Sequence, residues 1–250
     1  MTNPVVARIL CVVIGYCFGL IQTSYILGKI KGIDIRQYGS GNAGLTNSLR
    51  VMGKKAAAIV FIVDAAKAVI AMLICAALFK TEYPHLAEMF KMYAGMGVIL
   101  GHNFPFYMKF KGGKGIMATG GICIGMGLTY FITCGITFFG IFFATHYVSL
   151  GSLCMYICFV ITTIVCGQMG QFGGGMMPQS NLIEMYVIAV FLAAMAFYRH
   201  RANIGRLASG TERKTYLTKK NKVDVPSETE KEPDKEPEAP TEEIKEKEGE

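Results

Sequence analysis

Apolar stretches alternate with shorter polar segments along this chain. The apolar stretches cover residues 4–27, 56–79, 92–101, 116–167 and 182–198. A helix that crosses a bilayer needs about 20 predominantly apolar residues. The pattern therefore predicts an all-α polytopic membrane protein, and it makes a large soluble helical core the weaker alternative.

The basic residues of the loops predict the orientation of these helices, because short cytoplasmic loops are enriched in Lys and Arg. The loop between the first two apolar stretches carries six basic residues against Asp34 alone. The loop 80–91 balances its charges, and the segment 168–181 carries none. We therefore expect the N-terminus outside and the C-terminus in the cytoplasm.

This orientation constrains the number of spans. The two ends of the stretch 116–167 fall on opposite sides, so that the stretch must contain an odd number of spans. It is long enough for three, at roughly 17 to 20 residues each. The sequence thus predicts about seven transmembrane helices, with five as the alternative. The stretch 92–101 is short, and we expect it to be tilted or partly re-entrant.

Composition adds a division between a basic body and an acidic tail. Hydrophobic residues make up 52% of the chain, charged residues 17%, and the mean hydropathy is +0.39. Residues 1–223 hold 21 Lys and Arg against 6 Asp and Glu, whereas residues 224–250 hold 4 against 12. A tail without aromatic residues cannot bury enough apolar surface to order itself. We expect a transmembrane domain at 1–218 and a charged, disordered cytoplasmic tail at 219–250.

Small residues inside the apolar stretches indicate close helix packing. Glycines recur at four-residue spacing as Gly15 and Gly19, Gly97 and Gly101, and Gly121 and Gly125, and such pairs let helices approach closely. All eight cysteines lie in apolar stretches, without a Cys-x-x-Cys or His-x-x-x-His pattern. We expect these cysteines to be packing residues, and we expect neither a metal nor a cofactor.

Three polar motifs adjoin the apolar stretches: the first motif (39–50), the second motif (101–115) and the third motif (199–212). They are rich in Gly, Ser, Asn, Lys and Arg, which are the residues that bind phosphate groups. All three fall on the predicted cytoplasmic side. We therefore expect them to form one anion site.

In order, spacing and residue choice, the three motifs resemble those of the PlsY family, bacterial membrane glycerol-3-phosphate acyltransferases that use acyl phosphate. The resemblance extends from the first span to about residue 214. It implies transfer of an acyl group from acyl phosphate to the 1-hydroxyl of sn-glycerol 3-phosphate, which gives lysophosphatidic acid and phosphate. Both substrates carry phosphate and one has a lipid tail, so a basic pocket at the membrane interface suits the reaction.

The resemblance and the chemistry of the motifs together select the candidate site residues. The candidate catalytic residues are Ser40, Arg50, Lys114, His200 and Asn203. The candidate substrate-binding residues are Gly41, Asn42, Thr46, Asn47, His102, Lys111, Gly112, Gly113, Gly115, Arg206 and Glu212.

Several roles stay open in the first two motifs. Ser40 is a phosphate ligand or, alternatively, a nucleophile, although no base stands at a local spacing that would activate it. Arg50 offers a guanidinium fork for phosphate oxygens if Leu49 and Arg50 begin a helix, or else it anchors a span at the headgroups. The loop 111–115 offers backbone N–H groups and two ammonium groups to a phosphate.

The third motif also leaves alternatives. His200 accepts the proton of the glycerol hydroxyl, hydrogen-bonds a substrate oxygen or has a structural role, and a substrate phosphate is a competing base. Asn203 shares a helical face with His200 if the helix continues. We expect Glu212 to pair with a neighbouring Arg, and Asp64 to pair with Lys67.

The resemblance implies acyl phosphate, sn-glycerol 3-phosphate and membrane lipids as partners, with the acyl-phosphate-forming enzyme as a further candidate and no nucleic acid. It implies a location in the bacterial inner membrane. The alternative function is a membrane transporter or binding protein for an organic phosphate, with the motifs as its vestibule.

Overall fold

The computed structural model describes residues 2–216, and within them every regular element is helical. The predicted tail, 219–250, lies outside the described residues. The helices are α1 (Pro4–Gly19), α2 (Thr23–Ile30), α3 (Leu45–Val51), α4 (Gly53–Phe79), α5 (Ala87–Asn103), α6 (Ile116–Met126), α7 (Leu128–Thr145), α8 (Val148–Gln168), α9 (Gln179–Arg199) and α10 (Arg201–Ala208). Short 3-10 turns lie at Ile35–Gln37, Phe106–Met108 and Gly173–Gly175.

Five helical segments in the described part of the chain are long and apolar enough to cross a membrane. They are Pro4–Ile30, Gly53–Phe79, Leu128–Thr145, Val148–Gly175 and Gln179–Arg199. Helix α5 adds 17 residues and α6 adds 11. The chain is thus a multi-pass, all-helical protein, as the apolar pattern predicts, while the count of seven spans stays a prediction.

Two apolar stretches differ in detail from their sequence-based interpretation. The stretch 116–167 forms three helices, but α6 has only 11 residues and not the 17 to 20 expected. Gly115 and Gly127, both at positive φ, bound α6 on its two sides. The first stretch is also interrupted, because the chain turns between α1 and α2, where buried Gln22 donates to the carbonyls of α5.

Glycine brings α1 and α5 into backbone contact. A Cβ atom at Gly15 would lie 2.1 Å from the carbonyl oxygen of Ala94, and one at Gly97 would lie 2.2 Å from that of Val12. Contacts this short exclude any side chain, so the four-residue glycine spacing marks a helix interface, as expected. Gly121 of α6 packs in the same way against the backbone of Ala65 in α4.

A polar clamp joins the ends of α1, α5 and α9 that lie far from the three motifs. Arg8 donates from Nε and Nη2 to both carboxylate oxygens of Glu184, at 2.6 and 2.8 Å, and Tyr93 also donates to Glu184. All eight cysteines are free thiols; five are buried, which agrees with the predicted packing role, whereas Cys154 and Cys158 are partly buried and Cys17 is exposed.

The α1 to α5 contact predicts a large difference between two Gly→Ala changes. Gly15→Ala should lower stability by about 1–3 kcal/mol, because the added methyl group has no space. Gly140→Ala in α7 is the matched control, since a Cβ there meets no atom within 4 Å. Thermal unfolding in detergent, followed by a dye that reacts with the freed thiols, measures both. Equal unfolding temperatures for the two variants would contradict the close contact.

Candidate functional site

The three motifs meet at one cavity of about 800 Å³. Every candidate site residue selected from the sequence lines it except Gly113, which packs behind it against His102 and Ala43. The motifs are far apart in sequence, so this convergence supports the expectation of a single site.

The cavity has a polar end and an apolar arm. The polar end is formed by the motifs. The apolar arm runs between α4, α6, α7 and α8 and includes six phenylalanines: Phe61, Phe131, Phe138, Phe139, Phe142 and Phe143. Phe131 and Phe143 are largely exposed in the isolated chain, and their helix, α7, is one of the candidate spans. The arm can therefore hold a long apolar chain beside the bilayer.

Asn47 shapes the loop of the first motif. Its Oδ1 accepts from the Ser40 N–H at 2.8 Å, and its Nδ2 donates to the carbonyls of Ile35 and Tyr38 at 3.1 and 3.0 Å. The side chain is 1% exposed. Asn47 therefore holds the loop backbone in place, whereas the sequence suggested a direct substrate ligand.

Arg50 reaches the polar end from the last turn of α3. A helix that begins at Leu49 and Arg50 was the condition for this contact, but α3 already begins at Leu45 and Arg50 reaches the cavity from its last turn. The Arg50 Nη2 donates to the Thr215 hydroxyl at 2.7 Å. Burial lowers the pKa of Arg50, and the nearby charges of Arg213 and Arg206 lower it further. A guanidinium among other cations favours an anionic ligand.

The loop of the second motif is held by its backbone. The N–H groups of Gly112 and Gly113 donate to the carbonyls of Asn103 and His102, each at 3.1 Å. The Arg199 Nη2 donates to the carbonyls of the same two glycines, at 2.9 and 2.8 Å. The expectation that these glycine N–H groups are free to bind a phosphate is therefore wrong for Gly112 and Gly113.

Lys114 is the lysine of this loop that points into the third motif. Its Nζ donates to the Asn203 Oδ1. Burial lowers the pKa of Lys114 to about 8, and the nearby Arg206, Arg199 and Arg50 add to the shift against the opposing charge of Glu212. The ammonium is thus charged at pH 7 and close to its titration range.

His200 lies at the junction of α9 and α10 and is 2% exposed. The helix is interrupted at this residue, so the condition under which Asn203 would share its helical face is not met. The His200 Nδ1 lies 2.8 Å from the carbonyl oxygen of Ala196. Only a protonated Nδ1 makes that hydrogen bond, which leaves Nε2 as an acceptor. Burial and the charge of Lys114 lower the pKa of His200 to about 4, so the ring is neutral at pH 7.

Glu212 organises the third motif. Its carboxylate accepts from Ser149, Asn203 and Arg206 at 2.8, 2.6 and 2.7 Å, which confirms the predicted pairing with a neighbouring Arg. Burial alone would raise its pKa, but these three hydrogen bonds outweigh burial and lower it. The carboxylate therefore holds Asn203, which in turn contacts Lys114.

Several residues of the site were not selected from the sequence. Thr215 and Arg213 follow the third motif directly, and Arg213 donates to the Gly39 carbonyl at 2.9 Å. Their position next to the basic and polar residues of this motif could have marked them as site residues. Ser149 is the second residue of α8, far from any motif, and nothing in the sequence marks it. Within residues 2–216 no group of three or more His, Cys, Asp or Glu residues could hold a metal ion.

Comparison with known proteins places the chain in one family. Residues 9–210 match the family model described as glycerol-3-phosphate acyltransferase. The chain is 39% identical to the glycerol-3-phosphate acyltransferase of Shouchella clausii over 84% of its own length and 97% of that protein's. It is also 39% identical to the enzyme of Thermoanaerobacter pseudethanolicus, over 82% and 94% of the two chains.

Two crystal structures share the fold. Both are of PlsY, an integral membrane glycerol 3-phosphate acyltransferase, one in its glycerol 3-phosphate form and one in its lysophosphatidic acid form. The TM-scores are 0.69 and 0.67, the sequence identities are 30% and 29%, and each match covers 84% of this chain and 96% of the other.

The Glu212 network predicts a pH-dependent effect on stability. Glu212→Gln should destabilise the protein by about 1–3 kcal/mol at pH 7, because a buried charged acceptor is lost. The folded pKa is lowered, so this stabilisation is complete above the unfolded pKa of about 4.3 and is lost as the pH falls through the folded value. The unfolding temperatures of the wild type and Glu212→Gln should therefore converge at acid pH.

Asp34→Asn is the matched control for this experiment. It removes a more exposed carboxylate that pairs with Arg36, and such pairs contribute about 0–1 kcal/mol. A difference in unfolding temperature between Glu212→Gln and the wild type that stays constant down to pH 3 would contradict the role assigned to Glu212. Equal losses of stability in Glu212→Gln and Asp34→Asn at pH 7 would also contradict it.

Proposed function

This chain belongs to the glycerol-3-phosphate acyltransferase family, and we propose that it transfers a fatty acyl group from acyl phosphate to the 1-hydroxyl of sn-glycerol 3-phosphate. The products are 1-acyl-glycerol 3-phosphate, or lysophosphatidic acid, and phosphate. The observation that carries the proposal is the single cavity in which a cationic end opens into an apolar arm. Each half of that cavity suits one half of the donor.

Charge supports phosphate as the ligand of the polar end. Of the described residues that line the cavity, two are acids, Asp64 and Glu212, and seven carry a basic side chain other than His: Arg36, Arg50, Lys111, Lys114, Arg199, Arg206 and Arg213. Glu212 is already engaged by Arg206, and Asp64 by Lys67. A dianionic phosphate offsets part of the remaining positive charge. Arg50 supplies a fork for two of its oxygens, and Lys114 supplies a point charge.

The apolar arm suits the acyl chain of the donor. Its phenylalanines lie on helices that face lipid, so a chain can enter sideways from the bilayer without crossing water. Burial of each methylene group contributes about 0.8 kcal/mol. The acyl carbonyl then lies where the arm meets the polar end, next to the motifs.

Direct transfer is the reaction that this site supports. The glycerol hydroxyl oxygen attacks the acyl carbonyl carbon, the bond from that carbon to the phosphate oxygen breaks, and the hydroxyl proton leaves with the released phosphate. The neutral His200 accepts a hydrogen bond from the hydroxyl at Nε2 and orients it. A pKa of about 4 makes this imidazole a weak base, which favours the phosphate as the final proton acceptor.

Ser40 acts in this proposal as a phosphate ligand. In the described part of the chain no hydrogen bond links its hydroxyl to an imidazole or a lysine that would activate it. Acyl phosphate is already an activated donor, so an acyl-enzyme would add little. An acylated Ser40 peptide in protein quenched with donor alone would reverse this assignment.

Loop charge further favours a cytoplasmic site with the N-terminus outside, and membership of the family favours a bacterial inner membrane. Acyl phosphate is a reactive anhydride with a lipid tail, so the enzyme that forms it is a reasonable partner at the same surface.

The donor is tested by direct assay. Purified protein in detergent receives labelled glycerol 3-phosphate with palmitoyl phosphate, palmitoyl-CoA or palmitoyl carrier protein in separate reactions. We expect labelled lysophosphatidic acid from palmitoyl phosphate alone, and a loss of at least about a hundredfold in Arg50→Ala, because removal of one stabilising contact to the reacting charge commonly has that effect. Lys55→Ala, an exposed change on α4, is the matched control.

Product from the thioester donors at equal rates would overturn the choice of donor. Folded protein that binds glycerol 3-phosphate but yields no product from any donor would instead favour transport or binding of an organic phosphate.

Lys114 predicts a pH dependence of substrate capture. Its pKa of about 8 means that the free enzyme loses this positive charge as the pH rises through 8. The kcat/KM for glycerol 3-phosphate should therefore fall above pH 8, because this ratio reports the pKa values of the free enzyme. In Lys114→Arg, the guanidinium keeps its charge up to pH 9.5, and the fall should disappear even if the rate is lower.

Lys111→Arg is the control for this measurement, because Lys111 lies on the same loop but is exposed. It should keep the wild-type profile. The same fall near pH 8 in Lys114→Arg would show that another group is responsible.

A further inference from the structure

A buried ion pair lies within the helix bundle, directly behind the loop 111–115 of the second motif, here called the glycine loop. Asp64 and Lys67 of α4 are 1% and 2% exposed, and His102 of α5 is 3% exposed. The Lys67 Nζ lies 2.8 Å from Asp64 Oδ1, as the sequence predicted for this pair, and 2.9 Å from His102 Nδ1. Buried charges in a membrane helix are costly, so they call for a functional explanation.

The contacts of Lys67 determine the protonation of the His102 ring. Its Nζ donates to the Ile21 carbonyl at 2.6 Å, to Asp64 and to His102. An ammonium group has three protons and no acceptor, so these three partners use it fully. Asp64, which also accepts from Thr23 at 3.0 Å, keeps the amine in its charged form. The His102 Nδ1 must therefore be an acceptor, and the proton of the neutral ring must be on Nε2.

The protonated edge of His102 faces the loop. A Cβ atom at Gly113 would lie 2.2 Å from the His102 Nε2 and 2.7 Å from the Ala43 carbonyl oxygen. The Gly113 N–H donates to the His102 carbonyl, which also accepts from Gln22 at 2.8 Å. The ring and the backbone of His102 thus both set the position of Gly113, and Lys114 follows as the next residue.

We propose that Lys67 is a positioning residue of the active site, which fixes His102 in the Nε2-protonated tautomer and so holds the glycine loop that presents Lys114 to the substrate phosphate. Asp64 keeps the Lys67 ammonium in place. The part concerning substrate rests on the proposed function, since it takes that phosphate to be the one of glycerol 3-phosphate. The link between Lys67 and the His102 tautomer is independent of it.

The test reads the tautomer and the affinity separately. Protein labelled with ¹⁵N-histidine carries four histidines, and the His102 signals are those missing from His102→Gln. In the wild type, the His102 ring should have a protonated Nε2 and a bare Nδ1. In Lys67→Met, Nδ1 should become at least partly protonated, and the Kd for glycerol 3-phosphate, measured by equilibrium dialysis, should rise at least about tenfold because the loop is misplaced.

Two further variants complete the design. Lys55→Met makes the same substitution at an exposed site on the same helix, and it should change neither the tautomer nor the Kd. If Lys67→Met leaves Asp64 uncompensated and does not fold, the double variant Asp64→Asn with Lys67→Met removes both charges at nearly constant volume. It should show the same two changes.

A wild-type His102 protonated on Nδ1 overturns the inference, as does a folded Lys67 variant with an unaltered tautomer. An altered tautomer with a Kd within twofold of the wild type also overturns it, because the ion pair would then have a structural role only. If the wild type does not bind glycerol 3-phosphate, the proposed function fails, and the tautomer measurement alone decides the link between Lys67 and His102.

Discussion

Mutual repulsion among the cations is the constraint on which this site depends. Arg50, Lys114, Arg199, Arg206 and Arg213 all line one cavity, and like charges in a partly desolvated space repel strongly. Each of these side chains is held by a specific acceptor. Those acceptors are the Thr215 hydroxyl, the Asn203 amide, the Gly112 and Gly113 carbonyls, the Glu212 carboxylate and the Gly39 carbonyl.

These acceptors explain why the motifs need small and polar residues as well as cations. Four of the five cations bind to another part of the site, so their charge also fastens one motif to the next. Arg199 ties the third motif to the second, and Arg213 ties the chain after the third motif to the first. The site keeps a net positive charge. In the proposed function, the attraction between these cations and the bound phosphate opposes the repulsion of the cations from one another. Preorganisation of this kind suits the proposed reaction, in which acyl phosphate is an already activated donor.

The helix bundle supports that arrangement from behind. Close contact of α1 with α5 through glycine brings Gln22, at the turn after α1, against the end of α5. The end of α5 carries His102 and Asn103, whose carbonyls accept the N–H groups of the glycine loop. The packing of small residues between α1 and α5 thus helps to set the positions of the residues at the polar end. The apolar arm lies to the side of this contact, between α4, α6, α7 and α8.

The sequence by itself determined the helical class, the multi-pass character, the three motifs and most of the polar residues of the cavity wall. Those features depend on composition and on residue type, which are local. The pairs Asp64 with Lys67 and Arg206 with Glu212 were also predictable, because their partners are three and six residues apart.

Only the tertiary structure decided the break between α1 and α2, the shortness of α6 and the partners of each site residue. Ser149 and Thr215 enter the site from helices and segments that carry no motif. The glycine loop could not be interpreted correctly from its composition, because the end of α5 takes up the N–H groups of Gly112 and Gly113. A backbone donor is available to a ligand only if no neighbouring element accepts from it, and the packing of distant helices determines whether one does.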